Sequence, residues 1–360
     1  MEISIGHYQG KEVRLDLEEN VNGHTLITGA TGTGKTNFLM TSLNQMNPDF
    51  IGILDYSSSF EGFIGAERHD ICKNPALQGF FDCLNMQNAS MLADAIQGAF
   101  RLGRTQKATL LKGLFEMRKP IIKREISPIE EENIYFQYLR YDKDGVAVKD
   151  WALLAFLLDS RLGNKGEELA TLFFELVVIL YDKEKIADDK IGVSVITFPE
   201  ESIGVNAIMV ELYLWKLWFE QPRLYKETGR KIVLVLDECQ NLNWKKGSIA
   251  EKMLSEGRKF GISLILSTQF TDANFPKRVV TSFMQSGVRV IFAPPEPEIK
   301  SIAQSLDSTN WKSWLKPLSN LTRGSCVVCA KVNCGGRISR QKLIVKVPRY
   351  DEKSENAEKD

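Results

Sequence analysis

The sequence lacks an apolar run long enough to span a membrane. Its longest apolar stretches are WALLAFLLDS, from Trp151, and LFFELVVILY, from Leu172. Both are shorter than the roughly 18 to 20 residues that a membrane helix requires. The first residues also lack the basic start and apolar core of a signal peptide. We therefore expect a cytoplasmic protein with no membrane segment, in which both stretches form buried helices.

The chain also lacks a net charge. Its 46 basic and 46 acidic side chains cancel, and its 43% of hydrophobic residues are typical of a globular protein. Affinity for a polyanion such as DNA would therefore have to come from a local basic patch. The composition leaves nucleic acid open as a partner.

A complete zinc cluster is missing as well. Of the six cysteines, Cys326 and Cys329 have the CxxC spacing of a metal knuckle. No second CxxC or nearby histidine completes four ligands, and the pair lies in an alternating, strand-like run. We expect these cysteines to pack in a strand rather than to bind zinc.

Strand and helix patterns alternate along most of the chain. FIGIL and IVLVL are continuous apolar runs, as expected for parallel strands that are buried on both faces. Helical patterns dominate at approximately 64–190. We predict an α/β fold for residues 1–349, a single domain with a central, mainly parallel sheet flanked by helices and with a helical insertion at 64–190. The polar tail, 350–360, is predicted to be disordered.

The string GATGTGKTN has the full pattern of a phosphate-binding loop between a strand and a helix. Its glycines let backbone N–H groups surround phosphate oxygens at the start of the helix. Lys35 is expected to reach the β- and γ-phosphates, and the Thr36 hydroxyl to bind Mg²⁺. The string predicts a site for ATP and Mg²⁺ formed by Gly29, Ala30, Thr31, Gly32, Thr33, Gly34, Lys35, Thr36 and Asn37.

Polar side chains follow two other predicted strands. Asp237 and Glu238 end the IVLVL strand, and Gln269 ends LILST. Asp237 is predicted to be a second Mg²⁺ ligand, and Glu238 the general base that polarises the attacking water. Gln269 can contact the γ-phosphate or that water. Each residue alone could be a polar strand end, but together with the phosphate loop they predict hydrolysis.

The order of these motifs resembles that of the HerA/FtsK group of ring-forming motor ATPases, and of its HerA branch in particular. The resemblance extends from Ile5 to about Val347. It rests on IGHYQGKEVRLDL, NGHTLITGATGTGKTNFL, GILDYSSSFEG, LVLDECQNL, SEGRKFGISLILSTQ and LSNLTRGSCVV. It implies a RecA-like P-loop NTPase core, assembled as a homo-oligomer, commonly a hexamer, with nucleotide at subunit interfaces and double-stranded DNA in a central channel.

The family motifs assign roles to matching positions of this chain. Arg258, in EGRK, matches an arginine suited to contact phosphate charge as an arginine finger, either within its own subunit or across an interface. Asp55 and Glu61 match an acidic motif near the site. HerA proteins usually carry an N-terminal β-barrel, whereas here only residues 1–22 precede the first core strand. The nucleotide and catalytic residues that carry over are Lys35, Thr36, Asp237, Glu238 and Gln269.

The expected function is ATP hydrolysis that translocates or remodels double-stranded DNA, together with a nuclease or other effector, in DNA processing or phage defence. The loop NWKKG, 243–247, could couple hydrolysis to DNA contacts, or be a solvated loop. Two alternatives stay open. One is a conjugation- or secretion-type DNA-pumping ATPase. The other is a nucleotide-dependent scaffold that activates an effector without processive translocation.

Overall fold

The structure, a computed structural model, describes residues 2–16, 20, 23–56, 58–63, 65–71, 80–81, 89–117, 133–135, 148–181, 192–198, 203–269 and 275–350. Its strands are β1 (Glu2–Tyr8), β2 (Lys11–Asp16), β3 (Thr25–Thr28), β4 (Phe50–Leu54), β5 (Ala66–Asp70), β6 (Gly192–Thr197), β7 (Ile232–Leu236), β8 (Ile262–Thr268), β9 (Val288–Ile291), β10 (Ser325–Cys334) and β11 (Arg337–Lys346). Its α-helices are α1 (Lys35–Leu43), α2 (Ala89–Phe100), α3 (Arg104–Met117), α4 (Val148–Arg161), α5 (Asn164–Tyr181), α6 (Ile203–Thr228), α7 (Ile249–Glu256), α8 (Lys277–Met284), α9 (Ile299–Leu306) and α10 (Lys312–Ser319).

The strands of the described residues form one sheet in the order β11-β1-β2-β10-β9-β3-β8-β7-β4-β6-β5. The neighbours from β9 to β6 pair in parallel, and β3 lies between β8 and β9. The residues of β3, β4 and β7 are buried throughout, and the unbroken apolar sequences of β4 and β7 predict this. The predicted α/β fold class, with a parallel central sheet, is therefore confirmed.

An antiparallel group at one end of the sheet was not predicted. The hairpin β1–β2 pairs with the hairpin β10–β11 on both sides, because β2 pairs with β10 and β1 pairs with β11. The four strands thus close on themselves. Their inward side chains, among them Ile3, Leu15 and Val332, belong to the main core. Residues 2–16 therefore complete a small closed group of strands with residues 325–346.

The CxxC pair lies on β10, as predicted. Cys326 and Cys329 are three positions apart, so the alternation of a strand turns them to opposite faces. Cys326 packs in the main core beside Val328, whereas Cys329 packs in a second cluster that includes Leu318. Side chains on opposite faces cannot share a zinc ion, and the prediction of strand packing is confirmed.

The described chain divides into two compact units. The first comprises Met1–Arg68, Ile191–Thr197 and Gln221–Asp360. The second comprises His69–Lys190 and Phe198–Glu220. The predicted insertion at 64–190 overlaps the second unit, and the division into one ATPase domain with an insertion stays a prediction. The predicted tail lies outside the described residues beyond Tyr350.

The second unit has an aromatic core. The buried ring of Trp151 stacks on Phe80 at a centroid distance of 5.6 Å and meets Phe81 edge-on at 4.7 Å. The WALLAFLLDS stretch therefore lies in a buried helix, as predicted. The second apolar stretch forms part of α5, but Leu172 is 46% exposed, so its burial is incomplete. Among the described residues, no helix is long and apolar enough to cross a membrane.

Candidate nucleotide-hydrolysis site

The phosphate-binding loop joins the buried strand β3 to α1. Gly29 has φ +147°, and a Cβ atom there would lie 2.6 Å from Cβ of Phe292, so only glycine fits. The loop is tied to the neighbouring strand, because Ala30 N–H donates to the carbonyl of Ala293 at 2.9 Å. Gly34, before α1, offers no side-chain cap, which leaves the first-turn N–H groups for an anion.

Lys35 lies underneath this loop and is buried. Its Nζ donates to the carbonyls of Gly29 at 2.7 Å and of Ala30 at 3.2 Å. Burial lowers the pKa of Lys35, and the negative charges of Glu238 and Asp237 oppose this shift. The lysine ammonium therefore binds two carbonyls of the loop and interacts with the charges of the two acids.

The two acids follow β7 at the carboxyl edge of the sheet. Burial raises the pKa of Asp237, and the charges of Glu238 and Asp55 raise it further. A bound cation would offset both effects. Glu238 has φ +46°, a left-handed conformation that is uncommon for glutamate and costs free energy. Strain of this kind is concentrated at functional sites.

Glu238 is held by two amide side chains. Gln269 Nε2 donates to Glu238 Oε1 at 3.0 Å, and Gln240 Nε2 donates to its other oxygen. Gln240 is itself fixed by Thr268, whose hydroxyl donates to Gln240 Oε1 at 2.8 Å. Thr31 Oγ1 donates to Gln269 Oε1 at 2.9 Å. A continuous relay therefore links the phosphate loop to the carboxylate through Gln269.

Oxygen donors at this site fit Mg²⁺. The Thr36 hydroxyl and the Asp237 carboxylate line the same cavity, and both are hard oxygen ligands. Among the described residues, no cluster of three or more His, Cys, Asp or Glu side chains could hold a metal ion alone. This agrees with Mg²⁺ chemistry, because Mg²⁺ is commonly bound by one or two protein ligands together with substrate phosphates.

Arg258 does not line this cavity. It belongs to the 3₁₀ turn Gly257–Phe260, just before β8, whereas Gln269 comes just after β8. Seven residues of strand at about 3.3 Å each separate the two edges of the sheet by roughly 20 Å. Arg258 therefore lies near the edge of the sheet opposite to the phosphate loop, and its role as an arginine finger stays a prediction.

The cavity, of about 840 Å³, has a basic wall that the sequence analysis missed. Arg323, Lys346 and Arg349 line it together with the phosphate loop and the two acids. Two signals pointed to this wall. Arg323 lies in the quoted string LSNLTRGSCVV, and residues 308–350 contain nine Lys or Arg but no Asp or Glu.

The side chain of Asn37 binds the segment at 348–350. Its Nδ2 donates to the carbonyl of Pro348 at 2.8 Å, and its Oδ1 accepts from Tyr350 N–H at 2.9 Å. The residue also lines the cavity, and its direct contact with a nucleotide stays a prediction.

Asp55 shapes the loop after β4. Its carboxylate accepts from the N–H groups of Ser59 at 2.9 Å and Phe60 at 3.0 Å. This turn brings Ser59 to the cavity. For Glu61, the structure shows its backbone carbonyl accepting a hydrogen bond from Arg68.

The NWKKG loop is attached to the backbone just after Asp237 and Glu238. Trp244 is buried, and its Nε1 donates to the carbonyl of Cys239 at 2.7 Å. Its ring packs edge-on against Phe283 at 5.3 Å. Lys245 and Lys246, in contrast, are exposed. Trp244 therefore connects the backbone at Cys239 to the loop that carries the two exposed lysines.

Comparison with known proteins supports the fold. No protein-family model matches the sequence, and no curated protein does. VirB4 of Thermoanaerobacter pseudethanolicus has a similar structure, with a TM-score of 0.67, 17% identity and coverage of 98% of this chain and 97% of that one.

Two structures of the bacterial conjugative coupling protein TrwB are also similar. The unbound monoclinic form has a TM-score of 0.57, 16% identity and coverage of 98% of this chain and 91% of that one. The complex with ADP and Mg²⁺ has a TM-score of 0.52, 14% identity and coverage of 92% and 87%. At these identities the likeness shows the fold alone, and this chain has the α/β fold of P-loop NTPases.

Proposed function

We propose that this protein is a HerA-like motor that hydrolyses ATP and translocates or remodels double-stranded DNA. The observation that carries the proposal is the relay from Thr31 through Gln269 to Glu238. It joins the loop that would hold the γ-phosphate to the acid that would activate water. A site that only bound nucleotide would not require this connection between its two halves.

Mg²⁺-ATP is the nucleotide that we assign to the cavity. Thr36 and Asp237 would hold the ion, which would neutralise phosphate charge as the bond to the γ-phosphate breaks. Glu238 would accept a proton from the attacking water, and Gln269 would fix the direction of its carboxylate. Similar TrwB structures contain an ATP analogue, a GTP analogue or ADP with Mg²⁺, which supports a nucleoside triphosphate here.

The DNA contacts are assigned by charge and attachment. Lys245 and Lys246 are exposed on a loop that is held to the acids through Trp244. Phosphate contacts from such a loop would respond to each round of hydrolysis. Arg258 lies far from the phosphate loop of its own chain. We therefore propose a ring in which Arg258 completes the site of a neighbouring subunit, and the family resemblance implies that this ring is a hexamer.

A second candidate is a conjugation-type pump, which the likeness to VirB4 and to the conjugative coupling protein TrwB favours. It shares the ATP chemistry and the DNA substrate with the first candidate and differs in its partner. A HerA-like motor would act with a nuclease or other soluble effector, and a pump would act with a membrane complex. Affinity purification from the native cell, scored for a nuclease or for membrane components, separates them.

The test is ATP hydrolysis with and without duplex DNA. We expect duplex DNA to stimulate hydrolysis several-fold, and Lys35→Ala or Glu238→Ala to abolish it. The pair Lys245→Ala and Lys246→Ala should remove the stimulation but keep basal hydrolysis, because neither side chain lies in the cavity. The exposed pair Lys11→Ala and Lys226→Ala is the charge-matched control. Hydrolysis that ignores DNA would instead support a scaffold that activates an effector.

A further inference from the structure

We propose that Asn37 is a positioning residue, which holds residues 346–350 against the cavity so that Arg349 adds positive charge to the nucleotide phosphates. This inference rests on the proposed nucleotide binding. It assigns a function to the residue directly after the phosphate-loop motif and to the last described part of the chain.

Asn37 uses both ends of its amide on one short segment. It donates to the carbonyl of Pro348 and accepts from the N–H of Tyr350, so that its two partners lie on either side of Arg349. The Tyr350 ring also lies 6.0 Å from the ring of Phe63. The backbone of Arg349 is therefore fixed on both sides, while its side chain stays exposed at the cavity.

A second set of hydrogen bonds joins the same segment to the phosphate loop. Gly324 N–H donates to the carbonyl of Thr33, and Val347 N–H donates to the carbonyl of Gly324, both at 2.9 Å. Lys346 Nζ donates to the carbonyl of Arg323 at 2.9 Å. The approach is close, since a Cβ atom at Gly34 would lie 3.3 Å from Cα of Gly324. The loop, the turn at 322–324 and the segment at 346–350 thus form connected layers.

The positive charge of this wall indicates that its ligand is an anion. Arg323, Lys346 and Arg349 line the cavity on one side, and Asp237 and Glu238 line it as well. An anion that enters the cavity would be attracted by the three cations, and a nucleotide brings its charge on its phosphates. Arginine is suited to this contact, because its planar guanidinium can donate two hydrogen bonds to one phosphate.

The turn after helix α1 supplies a matched control. Gln45 Nε2 donates to the carbonyl of Ser4 at 2.9 Å, and its Oε1 accepts from Ser4 N–H at 2.8 Å. Gln45 therefore holds β1 in the same way that Asn37 holds residues 346–350, but it does not line the cavity. If a pair of amide hydrogen bonds of this kind mattered only for stability, Gln45→Ala and Asn37→Ala would have the same effects.

The experiment is a double-mutant cycle on the full chain, with the dissociation constants of fluorescent ADP and GDP measured in the presence of Mg²⁺. We expect Arg349→Ala to raise both dissociation constants about tenfold, the effect of losing one charge-assisted hydrogen bond. Asn37→Ala should raise them by a similar or smaller factor. In the Arg349→Ala background it should add nothing, because the side chain that it positions is gone. Gln45→Ala should lower the melting temperature without changing either constant.

Three results would overturn the inference. Additive losses in the double variant would show that Asn37 acts on the nucleotide by itself. Unchanged affinity in Arg349→Ala, which is exposed and expected to fold even if Asn37→Ala does not, would remove the proposed contact. A loss for ADP but not for GDP would show that the wall contacts the base.

The proposed function fails differently. In that case the wild type would bind neither nucleotide, whereas failure of the inference alone leaves wild-type binding intact and sensitive to Lys35→Ala.

Discussion

The relay between the phosphate loop and Glu238 can be cut at a single hydroxyl group. Thr31→Val keeps the shape of the side chain and removes the donor to Gln269 Oε1, a bond of 2.9 Å. Gln269 then keeps only its bond to Glu238, and Glu238 keeps Gln240. One such hydrogen bond contributes about 1 kcal/mol, which corresponds to a loss of about fivefold in the rate of the chemical step.

Single-turnover hydrolysis of ATP measures this step, and ADP affinity is measured beside it. Affinity should change little, because the backbone N–H groups of the loop remain. Thr33→Val is the matched control, since the Thr33 hydroxyl donates to the carbonyl of Ala30 at 2.7 Å and takes no part in the relay. We expect it to affect nucleotide binding more than the rate.

A second comparison tests the order of the relay. Gln269→Leu removes both of its bonds, so it should slow the chemical step more than Thr31→Val does. In the Gln269→Leu background, Thr31→Val should cause no further loss. Equal rate losses in Thr31→Val and Thr33→Val would refute the reasoning, because the relay would then contribute nothing specific to catalysis.

Two other predictions concern His24 and Arg258. Burial lowers the pKa of His24 to about 4, below the ordinary 6.5. The free energy of unfolding should therefore have its full value above pH 6.5 and decrease as the pH falls toward 4. The decrease is about 3 kcal/mol, measured by denaturant unfolding across this range, and a slope that persists in His24→Asn would contradict it. Arg258→Ala should suppress turnover and spare nucleotide binding. Mixing it with Glu238→Ala subunits should restore part of the turnover, and no restoration would argue against action across an interface.

The sequence could predict the parts of the fold that depend on neighbouring residues. The buried strands β4 and β7 follow from continuous apolar runs, and the capping-box spacing of Ser248 and Glu251 marks the start of α7, where Ser248 accepts from Glu251 N–H. The closed group of strands could not be found in this way, because Leu15 pairs with Val332 from the other end of the chain. Local patterns contain no information about such a partner.

The same distinction applies to the site. Gly29 to Thr36, Asp237 and Gln269 could be proposed because parallel strands bring their carboxyl ends to one edge of the sheet. Gln240 and Arg349 could not. Gln240 is placed by its hydrogen bond to Glu238, and Arg349 by the hydrogen bonds that its neighbours Pro348 and Tyr350 make to Asn37, and these bonds form only after folding. The location of Arg258 was available from the sequence. An arginine that precedes β8 must lie at the edge opposite the residue that follows it.

In the proposed ring, nucleotide binding and acceleration of hydrolysis would depend on different positively charged residues. The chain's own cavity already contains Lys35, Arg323, Lys346 and Arg349, so binding of an anionic nucleotide does not require a cation from a neighbour. Arg258 lies too far from that cavity to contribute to binding within its own subunit. If it acts across an interface, its charge is needed only when phosphate charge shifts during bond breaking, which is a contribution to rate. In the proposed ring, each subunit would therefore bind nucleotide alone and hydrolyse it only when its neighbour is correctly placed.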